Sequence, residues 1–148
     1  MSLKQQDKIR LIKHLKFISD ELSDYAMFES LSWEEYRTNR SKRRDVERWI
    51  ENIVISAIDI AKVILSSEGI SLPDTYREIV ASLSLVKDFT KKDMIELSKW
   101  VRLRNVITHE YLDLKWASIN KFISETKPHY QTFLKRTKKY LDRKLQED

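Results

Sequence analysis

Hydrophobic residues recur at alternating steps of three and four along most of this 148-residue chain, the spacing of one face of an α-helix. The first long run predicts a helix over residues 5–28, with a stripe formed by Leu11, Leu15, Ile18, Leu22 and Tyr25. The second predicts a helix over residues 43–67, with a stripe formed by Val46, Ile50, Ile53, Ala57, Ile60 and Ile64. Further apolar residues widen the second stripe, so we expect that helix to be the central one.

Shorter helices are predicted on the C-terminal side of this central helix. Gly69 is expected to end it, because glycine readily adopts the left-handed conformation of a helix C-cap, and Pro73 follows. A third helix is predicted over residues 74–86, with one face formed by Tyr76, Ile79, Val80 and Leu83. The polar residues 30–41, between the first two helices, are either a loop or a frayed helix start.

Two capping residues predict the last helices. Thr90 is expected to cap a fourth helix that ends near residue 109. Asp113 is expected to cap a fifth, which Pro128 breaks or kinks before the pattern continues to a charged end. Long helices with short connections indicate an antiparallel bundle. The expected fold is therefore all-α, an antiparallel helical bundle of four to six helices.

Composition narrows the possible classes of protein. With one glycine and two prolines, a glycine-rich phosphate loop, a Rossmann fingerprint and most β architectures are nearly excluded. There is no internal repeat, low-complexity tract or domain boundary, so residues 1–148 are expected to form a single helical domain.

Charge and cysteine content bound the partners and the location. The net charge of +5, with 34% charged residues, permits contact with nucleic acid but does not require it. The chain has no cysteine, which excludes disulfides and thiolate metal sites. It has no signal-peptide pattern and no apolar run near the roughly 20 residues that a membrane span needs. We expect a cytoplasmic protein with no membrane partner.

Arg104 interrupts the apolar face of the predicted fourth helix. At about 100° per residue, that face consists of Leu97, Trp100, Val101 and Ile107. A guanidinium at a core position is costly without a partner, so Arg104 either extends to solvent or pairs with a carboxylate such as Asp59, unless it serves a functional site. Tyr111 lies close beside Arg104 if the helix continues that far, and His109 lies about 140° away, near Asn105.

The eight residues from Arg104 to Tyr111, RNVITHEY, resemble the signature of the HepT-like HEPN toxins. That signature is an arginine, four residues, a histidine, one residue and a tyrosine, with a polar residue, often asparagine, directly after the arginine. The order of the helices, the turn at residues 73–76 and the motif is also similar to the family, so the resemblance covers residues 8–141. Residues 33–44 match least well, and no role is transferred to them.

The resemblance implies a HEPN-type helical fold and the toxin of a type II/VII-like toxin–antitoxin system. Such a toxin is a metal-independent endoribonuclease and a homodimer, in which the two motifs face each other in a shared cleft. Arg104, Asn105 and His109 would be its catalytic residues, with no metal or cofactor. The usual antitoxin is a minimal nucleotidyltransferase (MNT), which in characterised members transfers AMP to the motif tyrosine, here Tyr111.

These residue types suit metal-free cleavage of RNA, in which the 2′-hydroxyl attacks the adjacent phosphate. The reaction needs a base, an acid and positive charge at the phosphate. Histidine can be the base or the acid near neutral pH, and arginine presents a planar, charged group to phosphate oxygens. One chain offers one suitable histidine, His109, whereas a two-fold dimer offers two. Asn105 either orients the imidazole, binds substrate or caps the helix end, and Tyr111 is either the modified residue or a packing residue.

Other polar features have more ordinary interpretations. His14 and His129 have no partner at metal-ligand spacing, so we expect structural or surface roles. The basic runs at residues 40–44 and 135–139 either guide RNA or form a solvated face. The four tryptophans lie at helical spacing and are expected in the core or at a dimer contact.

Two alternatives to a ribonuclease toxin remain open at the level of sequence. One is a non-catalytic HEPN binding module that partners a minimal nucleotidyltransferase. Arg104, His109 and Tyr111 together favour the enzyme, because a silent module has no need to keep all three. The other alternative is a plain helical nucleic-acid-binding protein, whose function would survive the loss of Arg104 and His109. The sequence does not identify the RNA target.

Overall fold

The computed structural model describes residues 2–147, and all the regular structure in that range is helical. The α-helices are α1 (Gln5–Leu22), α2 (Tyr25–Glu29), α3 (Trp33–Thr38), α4 (Arg40–Ser67), α5 (Tyr76–Ala81), α6 (Lys91–Lys99), α7 (Leu103–His109), α8 (Leu112–Glu125) and α9 (Lys127–Gln146). Short 3-10 helices at Ser82–Leu85 and Trp100–Arg102 follow α5 and join α6 to α7. The predicted all-α class is confirmed. No helix within the described range is long and apolar enough to cross a membrane.

The 28-residue helix α4 forms the centre of the bundle, as its wide apolar face predicts. Ile50, Ile53, Ile60 and Ile64 lie on that face and are completely buried. α1, α3, α5 and α7 all pack against α4. The two helices that carry the candidate site, α5 and α7, therefore rest on the same rigid support.

Side-chain contacts at both ends show that α1 and α4 run antiparallel. The indole Nε1 of Trp49, in the first half of α4, donates a hydrogen bond of 2.7 Å to the carbonyl oxygen of Glu21 at the end of α1. The hydroxyl of Ser67, the last residue of α4, donates one of 3.2 Å to the carboxylate of Asp7 near the start of α1. The predicted antiparallel packing is confirmed for this pair.

Helix α9 packs beside α1 and runs in the same direction as α4. Near its start, the buried hydroxyls of Thr126 and Tyr25 are hydrogen bonded at 2.6 Å. Near its end, the Lys144 ammonium pairs at 3.0 Å with the carboxylate of Glu68, directly after α4. α9 is therefore antiparallel to α1, and polar contacts hold both of its ends.

Aromatic rings fill the core between α2, α4 and α8. The ring centroid of Trp49 lies 4.8 Å from Tyr25, 4.6 Å from Phe28 and 5.7 Å from Phe122. Edge-to-face and tilted contacts of this kind add to the free energy gained by burial alone.

The predicted first helix is divided in two, because α1 ends at Leu22 and α2 begins at Tyr25. The hydroxyl of Ser23, between them, donates to the carbonyl oxygen of Asp20 at 2.6 Å. Serine side chains compete in this way with the helical backbone pattern. The predicted stripe is confirmed, since Leu11 and the other four members are buried, but the prediction of one helix over residues 5–28 is wrong.

The polar segment at residues 30–41 contains a helix of its own. Ser32 and Glu35 form a capping box at the start of α3, in which each side chain receives a hydrogen bond from the other residue's backbone N–H. Asn39 then ends α3 and caps α4, because its side-chain oxygen accepts from the backbone N–H of Lys42 at 3.1 Å. α4 consequently begins three residues earlier than predicted, at Arg40 rather than at residue 43.

The predicted fourth helix is interrupted by the 3-10 turn at Trp100–Arg102, and its second part ends at His109 as predicted. Its N-cap is confirmed, because the side chain of Thr90 accepts a hydrogen bond from the backbone N–H of Asp93 at 3.2 Å. The interruption changes the rotation between α6 and α7. The predicted wheel is therefore only approximate across residues 100–102.

The helix boundaries further along are partly as predicted. Gly69 has the expected left-handed conformation, with φ of 71°. Pro128 lies in the first turn of α9, after a break at Thr126. The prediction that Asp113 caps the fifth helix is wrong, because Tyr111 occupies the N-cap position. Asp113 lies in the first turn of α8 instead, where a negative charge is favourable.

Candidate functional site

Arg104 is a half-buried arginine on α7, and no carboxylate of the described residues pairs with it. α7 is anchored by the buried side chains of Leu103 and Ile107. The Nε of Arg104 is buried and has no hydrogen-bond partner among residues 2–147. Within the same range Arg104 forms no ion pair, so the interpretation that it pairs with Asp59 is not supported. Its charge remains available to a ligand.

The aromatic ring of Tyr76 lies against this guanidinium. The Cζ of Arg104 is 5.4 Å from the ring centroid, within the range of a cation–π contact. The ammonium of Lys62, on α4, is 4.9 Å from the same centroid. Two cations from different helices therefore meet at one aromatic ring.

Arg104 and Asn105 line a cavity of about 270 Å³ between α5 and α7. Arg77 and Arg102 also line it, and none of its lining residues is acidic. Tyr76 supplies an aromatic wall. A concave surface with three arginines and no carboxylate favours a negatively charged ligand such as a phosphate.

Local hydrogen bonds fix the two helices that form this cavity. Thr75 caps α5, because its side chain accepts from the backbone N–H of Glu78 at 3.2 Å. On α7 the hydroxyl of Thr108 donates to the carbonyl oxygen of Arg104 at 2.9 Å. The backbones that carry Tyr76 and Arg104 are thus held independently of any ligand.

His109 is the last residue of α7, and its side chain is exposed. It does not line the cavity that contains Arg104. Five residues of helix place His109 about 7.5 Å further along the axis and about 140° around it. Asn105 precedes His109 by four residues, on the same face of the helix. Within one protomer, Arg104 and Asn105 therefore share a cavity, and His109 projects from the adjacent solvent-facing end of the helix.

Tyr111 is 82% exposed and lies in the connection between α7 and α8. The condition for placing Tyr111 beside Arg104, a helix that continues that far, is not met, because α7 ends at His109. The backbone at Tyr111 is extended, with φ of −73° and ψ of 159°. The interpretation of Tyr111 as a packing residue is not supported either, since most of its surface is open to solvent.

A wider groove lies on the other side of the 3-10 turn that precedes α7. It has a volume of about 720 Å³ and shares Arg102 with the smaller cavity. His129 also lines it, with its Nε2 4.0 Å from the Glu96 carboxylate. No group of three or more potential metal ligands occurs within residues 2–147. The His129 side chain is 38% exposed, and His14 is half-buried.

The two basic runs differ from each other in their contacts. In the first run, Lys42 pairs with Glu35, and Arg43 donates to the carbonyl oxygen of Tyr36 at 3.2 Å, so part of it stabilises α3. Lys135, Lys138 and Lys139 of the second run are exposed.

The tryptophans contribute to the core to different degrees, and Trp33 is 37% exposed.

Tyr76, Arg77 and Arg102 were not singled out by sequence reasoning as site residues. Tyr76 has the spacing of a core residue on the predicted third helix, so the sequence does not indicate that it is 46% exposed. Arg102 precedes Arg104 by two residues, and this proximity was a usable signal. Arg77 joins the site only through the packing of α5 against α6 and the turn before α7, which no local pattern predicts.

The fold and the site together define a helical bundle with a cationic cavity beside an exposed histidine and tyrosine. A family model described as Ribonuclease HepT-like matches residues 9–137. The chain belongs to this HepT-like family.

Solved structures show the same fold. A crystal structure of a toxin–antitoxin with AMP-PNP has a TM-score of 0.76 at 17% identity, covering 87% of this chain and 97% of that chain. A tri-AMPylated Shewanella oneidensis HEPN toxin in complex with MNT antitoxin has a TM-score of 0.75 at 18% identity, covering 87% and 96%. No curated protein matches the chain.

Proposed function

We propose that this protein is the toxin of a toxin–antitoxin pair and a metal-independent endoribonuclease, with Arg104, Asn105 and His109 in its active site. The observation that carries the proposal is the guanidinium of Arg104. It is half-buried in an arginine-lined cavity, and within residues 2–147 it has no carboxylate partner and its Nε has no hydrogen-bond partner. An arginine in this state is suited to a phosphate, and the family supplies the reaction class.

The proposed reaction is attack of the RNA 2′-oxygen on the adjacent phosphorus. One His109 imidazole accepts the proton of the 2′-hydroxyl as the new O–P bond forms. The bond from phosphorus to the 5′-oxygen breaks, and a protonated imidazole donates a proton to that oxygen. The products are a 2′,3′-cyclic phosphate and a 5′-hydroxyl. Arg104 stabilises the charge that develops on the phosphate oxygens.

The positions of His109 and Arg104 support a site shared by two copies of the chain. One protomer supplies one exposed histidine, which is not among the residues that line its own Arg104 cavity. A two-fold axis near the end of α7 would place two His109 side chains and two Arg104 side chains around one phosphate. One His109 would then act as the base and the other as the acid.

The proposed partner is a minimal nucleotidyltransferase that acts on Tyr111. The similar fold of an AMPylated HEPN toxin bound to MNT antitoxin supports this partner class. Tyr111, which carries the proposed acceptor hydroxyl, is 82% exposed and lies two positions beyond His109 in the sequence. AMP at this position would add bulk and negative charge where RNA must enter, and so would repel the phosphate backbone.

The alternative is a non-catalytic HEPN binding module that partners the same class of nucleotidyltransferase. Its supporting observation is that a single protomer does not bring His109 into the Arg104 cavity. In this alternative the exposed end of α7 is a docking surface, and neither residue performs chemistry.

The deciding experiment is cleavage of total cellular RNA in EDTA by the purified wild-type protein, Arg104→Ala and His109→Ala. Mass spectrometry first confirms that Tyr111 carries no AMP. We expect cleavage by the wild type, and rates lower by about 100-fold or more in both variants, the size of a lost acid–base or phosphate contact. His14→Ala and Arg10→Ala, both on α1, are matched controls that should retain activity.

The two functions differ in the outcome. Absence of cleavage by unmodified wild type would favour the binding module. Wild-type activity in His109→Ala would contradict the catalytic assignment, and activity that EDTA abolishes and Mg²⁺ restores would contradict the mechanism.

A further inference from the structure

We propose that Tyr76 is a positioning residue that holds the guanidinium of Arg104 for its phosphate ligand, an inference that rests on the proposed function. The geometry that points to it is the 5.4 Å separation between the Arg104 Cζ and the Tyr76 ring centroid. Within residues 2–147 the Nε of Arg104 has no hydrogen-bond partner, so no such bond at this atom fixes the guanidinium.

An aromatic ring orients an arginine without neutralising it. A carboxylate would fix the guanidinium equally well, but it would occupy N–H donors and compensate the charge that a phosphate requires. The face of a tyrosine ring attracts the cation through its quadrupole and takes none of the donors along the guanidinium edge. Tyr76 therefore gives Arg104 a defined position and leaves it able to bind two phosphate oxygens.

The exposure of Tyr76 argues against a purely structural role in the core. The residue is 46% exposed, whereas Ile79 and Val80 of the same helix are buried and anchor α5. Tyr76 is the first residue of that helix, directly after the Thr75 cap. The fold thus holds its backbone firmly while its ring faces the cavity and the two cations.

Lys62 extends the same arrangement to the central helix. Its ammonium lies 4.9 Å from the centroid of Tyr76, so the same ring also contacts a positive charge from α4. The attraction of both cations to the ring offsets the mutual repulsion between Lys62 and Arg104. The positive charge collected here matches a polyanionic substrate.

The test compares Tyr76→Phe, which keeps the ring face, with Tyr76→Leu, which keeps an apolar side chain but has no quadrupole. The activity measured is cleavage of a defined RNA oligonucleotide in EDTA. We expect Tyr76→Phe to stay within about twofold of wild type and Tyr76→Leu to lose about tenfold in kcat with a smaller change in KM. Phe17→Leu, which removes an aromatic ring that is 43% exposed on α1, is the matched control and should change neither constant.

A spectroscopic measurement tests the contact without using activity. In a ¹⁵N–¹H spectrum, the Nε–Hε signal of Arg104, assigned by its loss in Arg104→Lys, should carry a ring-current shift. The shift should remain in Tyr76→Phe and disappear in Tyr76→Leu, with an unchanged thermal midpoint. An unshifted signal in wild type, or equal kcat in Tyr76→Leu and Tyr76→Phe, would overturn the positioning role. Wild-type protein that cleaves no RNA would overturn the proposed function itself, and the ring-current shift would still report the contact separately.

Discussion

Arg104 has the most unusual environment of the candidate site residues, because its half-buried guanidinium has no carboxylate partner among the described residues. Buried or half-buried arginines are usually paired with carboxylates, yet Arg104 has an aromatic neighbour, two further arginines in its cavity and no ion pair within the described residues. Its position in an apolar arc was visible in the sequence. Its actual neighbours were not, because Tyr76 and Arg77 reach it from a helix about 27 residues earlier in the chain.

For Tyr111, in contrast, spacing in the sequence does not give the position, because the position depends on where the helix ends. The wheel argument puts it next to Arg104 only if the helix continues, and no glycine or proline marks the end of α7 at His109. The extended backbone at Tyr111 directs the chain into α8 and leaves the side chain open. The role predicted for Tyr111 rests on the resemblance to the family alone, and its exposure leaves the hydroxyl accessible for the proposed modification.

Tyr111→Phe should separate cleavage from modification. The substitution leaves Arg104 and His109 in place, so RNA cleavage should persist, but no hydroxyl remains to accept AMP. Incubation with ATP and a family nucleotidyltransferase should add the mass of AMP to the wild-type protein and none to the variant. An equal mass increase in the variant would show that another residue is the acceptor.

At the scale of helices, boundaries were predictable where a side chain caps the backbone or a residue cannot continue a helix. Thr90 and Pro128 act as predicted. The capping pattern at Ser32 and Glu35 was also visible in the sequence, although the sequence analysis did not decide between a loop and a helix for that segment. The interruption at Trp100–Arg102 has no such signal. The turn joins α6, which packs against α5 and α9, to α7, which packs against α4 and α8.

Gly69→Ala should destabilise the protein by about 1 kcal/mol, because alanine in the left-handed region brings its Cβ too close to the backbone. Gly69 has φ of 71° and is the only residue in the described range with positive φ. Urea unfolding of the variant beside Ser71→Ala, an exposed neighbour in the same connection, measures the difference. Equal midpoints for the two variants would contradict the requirement for a left-handed cap.

For the whole molecule, the apolar stripes were sufficient to predict an all-α bundle with α4 at its centre. They succeeded because one helix in the middle of the chain has the widest apolar face, and the other helices cover it. The arrangement of the bundle depends on pairs far apart in sequence, such as Tyr25 with Thr126 and Lys144 with Glu68. Such pairs have no local signature, so the direction of α9 was accessible only from the structure.

The proposed active site belongs to this scale as well, because it requires two copies of the chain. A single protomer has the proposed phosphate-binding part, with Arg104 and Asn105 in one cavity, and it presents His109 at an open helix end. If the site is shared, each subunit contributes a His109 to it, and that contribution can be measured.

The most direct measurement uses a mixed dimer of one wild-type and one His109→Ala subunit, purified through two different affinity tags and tested for RNA cleavage in EDTA. If one His109 is the base and the other the acid of a single site, the mixed dimer should be about 100-fold or more less active than the wild-type dimer, close to the His109→Ala dimer. Half of the wild-type activity would show that each subunit cleaves RNA independently and would contradict the shared site.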